Sequence, residues 1–229
     1  LSQIKFNQKF GADDEEIEKF IHYHKNKNYN LYGISFHVGS KCYHPEQYIK
    51  TIDKIKNLID KYQLKINTID IGGGFPSFIN DTEYNFKNHV KDIDNYIKKY
   101  KSVSKYRFVG EPGRFIVDNT MTLILTIINK KQKIINNEKY NIYYINDGIY
   151  GSMNGIIFDG REIHYKDENK QIYKTILYGQ TCDSVDKIEC NLPEFNIGDT
   201  IKLDNFGAYS WSSSSMFNGF SLSKVIKIK

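Results

Sequence analysis

The 229-residue chain carries 32 Lys and Arg against 27 Asp and Glu, a net charge of +5, with 40% hydrophobic and 14% aromatic residues. That suffices to core one large domain or two small ones, and because both signs are interspersed, the basic excess forms no stripe for nucleic acid. No apolar run approaches the roughly 20 residues of a membrane span, and no basic-then-apolar leader opens the chain.

Cys42, Cys182 and Cys190 lack disulfide spacing, so the expected compartment is reducing and cytoplasmic. The opening Leu1 fits a fragment. Residues 13–27 place acids in the first turn and lysines in the last, with Ile17, Phe20, Ile21 and His24 at helical spacing. The run LYGISFHVGS predicts a short strand entering a Gly/Ser loop. Pro45 then opens a second helix with Ile49, Ile52, Ile55, Ile59 and Tyr62 on one face. KINTIDIGGGFP is a second strand ending in three glycines; a helix over about 83–101 and a strand in YRFVGEPGR follow.

Strands alternating with helices predict right-handed βαβ units, a parallel sheet and functional loops at the carboxyl ends of its strands. After Arg114 the texture changes to strand-like runs, TMTLILTII, NIYYIND, IYKTILYG, DTIKLDNF and KVIKIK, separated by Asn, Gly and Lys turns. The expected fold is therefore α/β plus β. Residues 1–118 form part of a (β/α)8 barrel, and residues 119–229 form a mostly antiparallel sandwich-like or barrel-like β domain. Half a barrel leaves sheet edges open, so an upstream segment or another chain is expected to close it.

Gly72, Gly73 and Gly74 follow a buried strand, where backbone can approach an anion closely; a tight turn is an equally good reading. Glu111-Pro112-Gly113-Arg114 ends another strand and adds a fixed guanidinium. Neither element has dinucleotide or Walker spacing, so a phosphate shared by these loops belongs to a smaller molecule. His37 also sits at a strand end, where a packed core histidine is the commoner outcome. Cys182-Asp183 follows a β run, and no Cys/His pairing predicts a metal site.

In order, FHVGSKC, IDIGGGFP, EPGRF, YYINDGIYGSMN, YGQTCDSVD and FGAYSWSSSSMFNGF resemble the successive motifs of the ornithine decarboxylase group of fold-type III pyridoxal-phosphate enzymes, over residues 9 to 220. The resemblance implies an alanine-racemase-like barrel carrying pyridoxal 5'-phosphate, then a β domain, in a head-to-tail homodimer with active sites at the interface. It implies that His37 stacks on the cofactor ring, that Ser40 lines its site, and that Gly72, Gly73, Gly74, Gly113, Arg114 and Tyr209 hold its phosphate. Glu111 matches the acid facing the pyridine nitrogen, where a carboxylate makes the ring a better electron sink. Asp159 matches a substrate-binding acid. Cys182 and Asp183 match residues donated across the dimer, the thiol returning a proton to the α-carbon and the carboxylate pairing a distal ammonium.

The family's Schiff-base lysine, in an Ala-Val-Lys type of motif, has no counterpart in these residues, so the chain is expected to be the carboxy-terminal portion of such an enzyme and inactive by itself. L-Ornithine is the expected substrate, giving putrescine for polyamine synthesis. The alternatives are a lysine, arginine or diaminopimelate decarboxylase, or a non-catalytic homologue resembling the antizyme inhibitors. An antizyme-like regulator is a further expected partner.

Overall fold

A computed structural model describes residues 9–27, 30–77, 86–101, 105–163, 165 and 169–228. The chain divides into two compact units, Leu1–Ile116 and Val117–Lys229.

The first unit opens with helix α1 (Asp14–Lys27), whose start is fixed by a reciprocal cap. The Asp13 N–H donates to Glu16 Oε2 at 2.9 Å, and the Glu16 N–H donates to Asp13 Oδ1 at 2.8 Å. Strand β1 (Gly33–Ser35) leads to helix α2 (Pro45–Tyr62), and β2 (Thr68–Asp70) leads to α3 (Phe86–Lys101) and then β3 (Arg107–Val109). Residues 83–85 of the predicted third helix lie outside the described residues.

Proline at the start of α2 needs no N–H partner, and Gln63 ends the helix in the left-handed region at φ 50°. Between them Tyr48, Ile52, Ile55 and Ile59 form the buried stripe. Each such burial stabilises by about 1.5–3 kcal/mol.

The three strands are parallel in the order β1-β2-β3, with Ser35, Asp70 and Val109 in one register row at their carboxyl ends. Backbone pairing runs on past the strands: the Ile71 N–H donates to Val109 O at 2.8 Å and the Glu111 N–H to Gly72 O at 2.8 Å. Loops that look irregular in sequence are thereby fixed to one another.

A short helix α4 (Gly113–Val117) precedes the second unit's strands. These are β4 (Leu123–Ile135), β5 (Glu138–Ile145), β6 (Ile172–Tyr178), β7 (Lys187–Pro193) and β8 (Thr200–Leu203), with a one-turn helix α5 (Gly155–Phe158) after β5. They form one sheet in the order β7-β6-β5-β4-β8, antiparallel except for the parallel β5·β6 pair. Leu123, Leu125 and Ile127 alternate inward on β4 and pack with Tyr143, Ile145, Leu177, Leu192 and Ile201. The register shifts between Ile127 and Asn129, beyond which β4 leaves the core.

Two strand expectations need correction. Residues 224–228 form no strand: Val225, Ile226 and Ile228 are exposed, and apolar alternation makes a strand only where a neighbour takes up its backbone. Conversely β7, absent from the predicted runs because Cys, Asn and Pro interrupt its apolar signal, pairs with β6 along its whole length. Among the described residues no helix is long and apolar enough to cross a membrane.

Candidate active site

In the first unit the carboxyl ends of three neighbouring strands converge. Gly72 and Gly74 have φ of 65° and 99°, and a Cβ on either would run into the carbonyl of Phe36 or Gly39. A Cβ on Gly73 would lie 2.9 Å from His37 Nε2. Only glycines let the loop after β2 lie this close to the loop after β1. Its carbonyls are held in place: the Cys42 N–H donates to Gly74 O at 2.9 Å, and the Tyr48 hydroxyl donates to Gly73 O at 3.0 Å.

The Gly39 N–H donates to His37 Nδ1 at 2.9 Å. That contact leaves Nε2 to carry the proton of the neutral ring, and desolvation holds the pKa below the ordinary 6.5. As a residue His37 is nevertheless exposed, so it is not a packed core residue.

The buried Arg114 donates from Nη2 to Ser40 Oγ at 3.4 Å, which joins the loops after β1 and β3. No Cβ on Gly113 would meet a heavy atom within 4 Å, so that position is open. Glu111 presents an exposed carboxyl whose pKa is raised, first by a hydrogen bond with the Asp70 carboxyl and then by that group's charge. Asp70 itself accepts from the Gly72 N–H at 2.9 Å and from the Ser35 hydroxyl at 3.4 Å. Asp70 was not singled out in the sequence; its position two residues before Gly72, at the end of β2, was the available signal.

In the second unit, Asp159 is buried at the end of α5, with its N–H on Gly155 O at 3.0 Å. Tyr209 is exposed and left-handed at φ 49°. Its loop is clamped by Arg161, which donates to the Asn205 carbonyl and, at 2.8 Å, to the Ala208 carbonyl.

Cys182 and Asp183 share the loop after β6, and that loop is anchored by the buried Asp186. Asp186 accepts from the Ile149 N–H at 2.9 Å and the Thr181 hydroxyl at 2.7 Å, tying the loop after β6 to the loop after β5. The Tyr150 hydroxyl donates to Asp183 Oδ2 at 2.5 Å, and the Val185 N–H donates to Oδ1 at 3.0 Å. Both bonds hold the Asp183 carboxyl below its ordinary 3.8, the tyrosine contributing most. Tyr150, Asp186 and Arg161 were all missed in sequence, because their roles consist of contacts between loops distant along the chain.

The first unit therefore gathers His37, Ser40, Gly72, Gly73, Gly74, Glu111, Gly113 and Arg114 at one sheet end. Cradle glycines, a buried guanidinium beside a hydroxyl, a neutral imidazole and a carboxyl are a donor set that suits a small planar ring bearing a phosphate. The second unit holds Asp159, Cys182, Asp183 and Tyr209 on loops of its own.

Comparison with known proteins agrees with this chemistry. Residues 2–118 match the pyridoxal binding domain of the pyridoxal-dependent decarboxylases, and residues 114–207 match their C-terminal sheet domain. Ornithine decarboxylase of Mus musculus is 34% identical over 239 aligned positions, covering 94% of this chain and 51% of that protein. Antizyme inhibitor 2 of Xenopus laevis is 32% identical, covering 98% and 53%. The crystal structure of Paramecium bursaria Chlorella virus arginine decarboxylase bound to agmatine superposes with a TM-score of 0.83 at 30% identity, covering 96% of this chain and 61% of that one. The chain thus spans about half the length of the curated relatives it matches. With both of its units matched in order, the chain belongs to the pyridoxal-dependent decarboxylase family.

Proposed function

We propose that this chain serves a pyridoxal 5'-phosphate-dependent decarboxylase of a basic amino acid, L-ornithine before lysine or arginine, releasing CO2 and putrescine. Residues 1–118 would be the carboxy-terminal half of the cofactor barrel and residues 119–229 its β domain. The carrying observation is the glycine cradle of residues 72–74, pressed against His37 and accompanied by the Arg114–Ser40 contact.

In this reading Gly72, Gly73, Gly74, Gly113, Arg114, Ser40 and Tyr209 hold the phosphate. The neutral His37 ring packs on the cofactor face, and Glu111 meets the ring nitrogen. When bound, the cofactor supplies an electron sink for the pair released as the carboxylate leaves. The chain's own residues do the rest. Asp159 and Asp183 pair the distal ammonium, so that it can be desolvated. Cys182 gives the proton from Sγ to the α-carbon: the S–H bond breaks as the C–H bond forms, and water restores the thiol. The lysine that anchors the cofactor is contributed from outside these residues, and the Cys182-Asp183 loop serves the site of a second copy in a homodimer. The three cysteines, all free, suit a reducing compartment such as the cytoplasm.

CO2 release measured with ornithine, lysine and arginine, with and without pyridoxal phosphate, tests this reading on the intact enzyme. Cofactor-dependent release, fastest from ornithine, is expected. Cofactor-independent release, or none from any of the three, would overturn it. A second reading, a non-catalytic partner of a regulatory protein, is favoured by the match to antizyme inhibitor 2. It predicts no release and an unaltered partner affinity in Glu111→Gln and Cys182→Ala variants.

A further inference from the structure

We propose that Asn218 is the positioning residue for Cys182, engaging its S–H and aiming it; this rests on the decarboxylase reading above for what the proton is used for. Asn218 occupies a left-handed position at φ 56° in the turn Phe217–Gly219. Its side-chain oxygen faces the Cys182 N–H at 3.3 Å and the Cys182 Sγ at 3.5 Å.

The first of these contacts decides the second. An asparagine amide can present either its oxygen or its NH2 to a neighbour, and the two ends are told apart by the donors around them. A backbone N–H is a donor at every pH, so the Cys182 N–H fixes the oxygen towards the loop. The sulfur then meets an acceptor and not a donor. A thiol satisfies that acceptor with its S–H. The arrangement therefore directs the S–H along one line.

The turn is itself moored to the residue that holds Asp183. The Phe217 ring stacks on Tyr150 with centroids 4.3 Å apart, and Ser215 donates to the Tyr150 carbonyl from its N–H at 2.8 Å and its hydroxyl at 3.0 Å. Tyr150 in turn donates to Asp183 at 2.5 Å. One turn thus sets both the proton donor and the ammonium-pairing carboxylate, two adjacent residues that face different parts of a substrate.

The chemistry of the other thiols makes the test clean. Cys42 is buried, burial pushes Cys190 up to about 12, and Cys182 is exposed. An S–H engaged by the acceptor must be released before the sulfur can attack an alkylating agent, so the contact slows alkylation. Iodoacetamide labelling of Cys182, followed by peptide mass spectrometry on the chain without cofactor or substrate, reads this directly. Asn218→Gly keeps the left-handed turn but deletes the acceptor, and should label roughly fivefold faster, the effect of losing one ordinary hydrogen bond. Asn218→Asp keeps an acceptor oxygen and adds negative charge, and should label no faster than the wild type. Equal rates in the wild type and both variants, or faster labelling in Asn218→Asp, would overturn the proposal. Labelling needs no turnover, so it stands or falls separately from CO2 release: unchanged labelling in an active enzyme removes Asn218 alone, and no release from any amino acid removes the decarboxylase reading alone.

Discussion

Arg161 and Asp118 form an ion pair at 3.0 Å with side chains only 8% and 2% exposed. The same guanidinium lies over the Phe206 ring at 4.7 Å and donates to the carbonyls of Asn205 and Ala208. It therefore closes the loop that presents Tyr209, so a residue outside every sequence motif shapes a residue inside one. Removing one partner of such a pair leaves a buried charge, whereas replacing both with apolar groups removes the burden. Arg161→Ala should destabilise the second unit by about 3–5 kcal/mol, and Arg161→Met with Asp118→Leu should recover most of that loss. Urea unfolding followed by the fluorescence of Trp211, the chain's single tryptophan, measures both. Additive losses in the double variant would show that the pair is not coupled.

Asp183 and Tyr150 give a dependence on pH with two opposite edges. The tyrosine hydroxyl lowers the Asp183 pKa below 3.8, and the carboxylate raises the Tyr150 pKa above 10. A depressed folded value means that the Asp183 contribution is present above the unfolded value and lost as pH falls through the folded one. A raised folded value means that the Tyr150 contribution is present below the unfolded value and lost as pH rises through the folded one. NMR titration of the Asp183 carboxyl in wild type and Tyr150→Phe should show the variant moving up towards the ordinary range. No movement would place the cause at the Val185 N–H instead.

Glu111 and Gly74 should separate chemistry from binding in the intact enzyme. Glu111→Gln keeps shape but loses the charge that would stabilise a protonated ring nitrogen, so kcat should fall far more than cofactor affinity. Gly74→Ala forces a Cβ into the Gly39 carbonyl at a φ of 99°, so cofactor affinity should fall first. Fluorescence titration with pyridoxal phosphate beside steady-state kinetics distinguishes the two patterns. Intact turnover with lost cofactor in Glu111→Gln would assign that residue the wrong role.

Sharing of sites between copies should appear on mixing. If the Cys182-Asp183 loop acts on a second copy, Cys182→Ala and Glu111→Ala subunits rebuild one complete site in each mixed dimer. Random exchange should then restore roughly a quarter of wild-type activity. A site built within one copy predicts no recovery, and a Cys182 that only packs predicts a near-normal single variant.

Much of the fold was legible because it is written in local periodicity. The isoleucine stripe of α2 and the β-branched run before Gly72 each announce one element, and the inward alternation of Leu123, Leu125 and Ile127 announces another. Runs whose pattern depends on a neighbour were read less well. Residues 224–228 alternate like a strand and are not one, while Lys187–Pro193 looks broken and pairs along its whole length with β6.

The candidate site divides along the same line. Residues in compact motifs, His37, Gly72 to Gly74, Glu111, Arg114, Cys182 and Asp183, could be named as candidates from the sequence because the motifs, undecided one by one, resemble a known family when taken in order. Asp70 beside Glu111, Asp186 beneath the cysteine loop, Asn218 against Cys182 and Arg161 over Asp118 could not. A side chain's protonation and aim depend on which donors and charges the tertiary fold brings within a few ångströms, and Asp186 and Ile149, Asn218 and Cys182, and Arg161 and Asp118 are separated along the chain by 37, 36 and 43 residues. Sequence by itself determined the residue types and the strand ends that carry them; only the folded chain decided which of them hold one another in place.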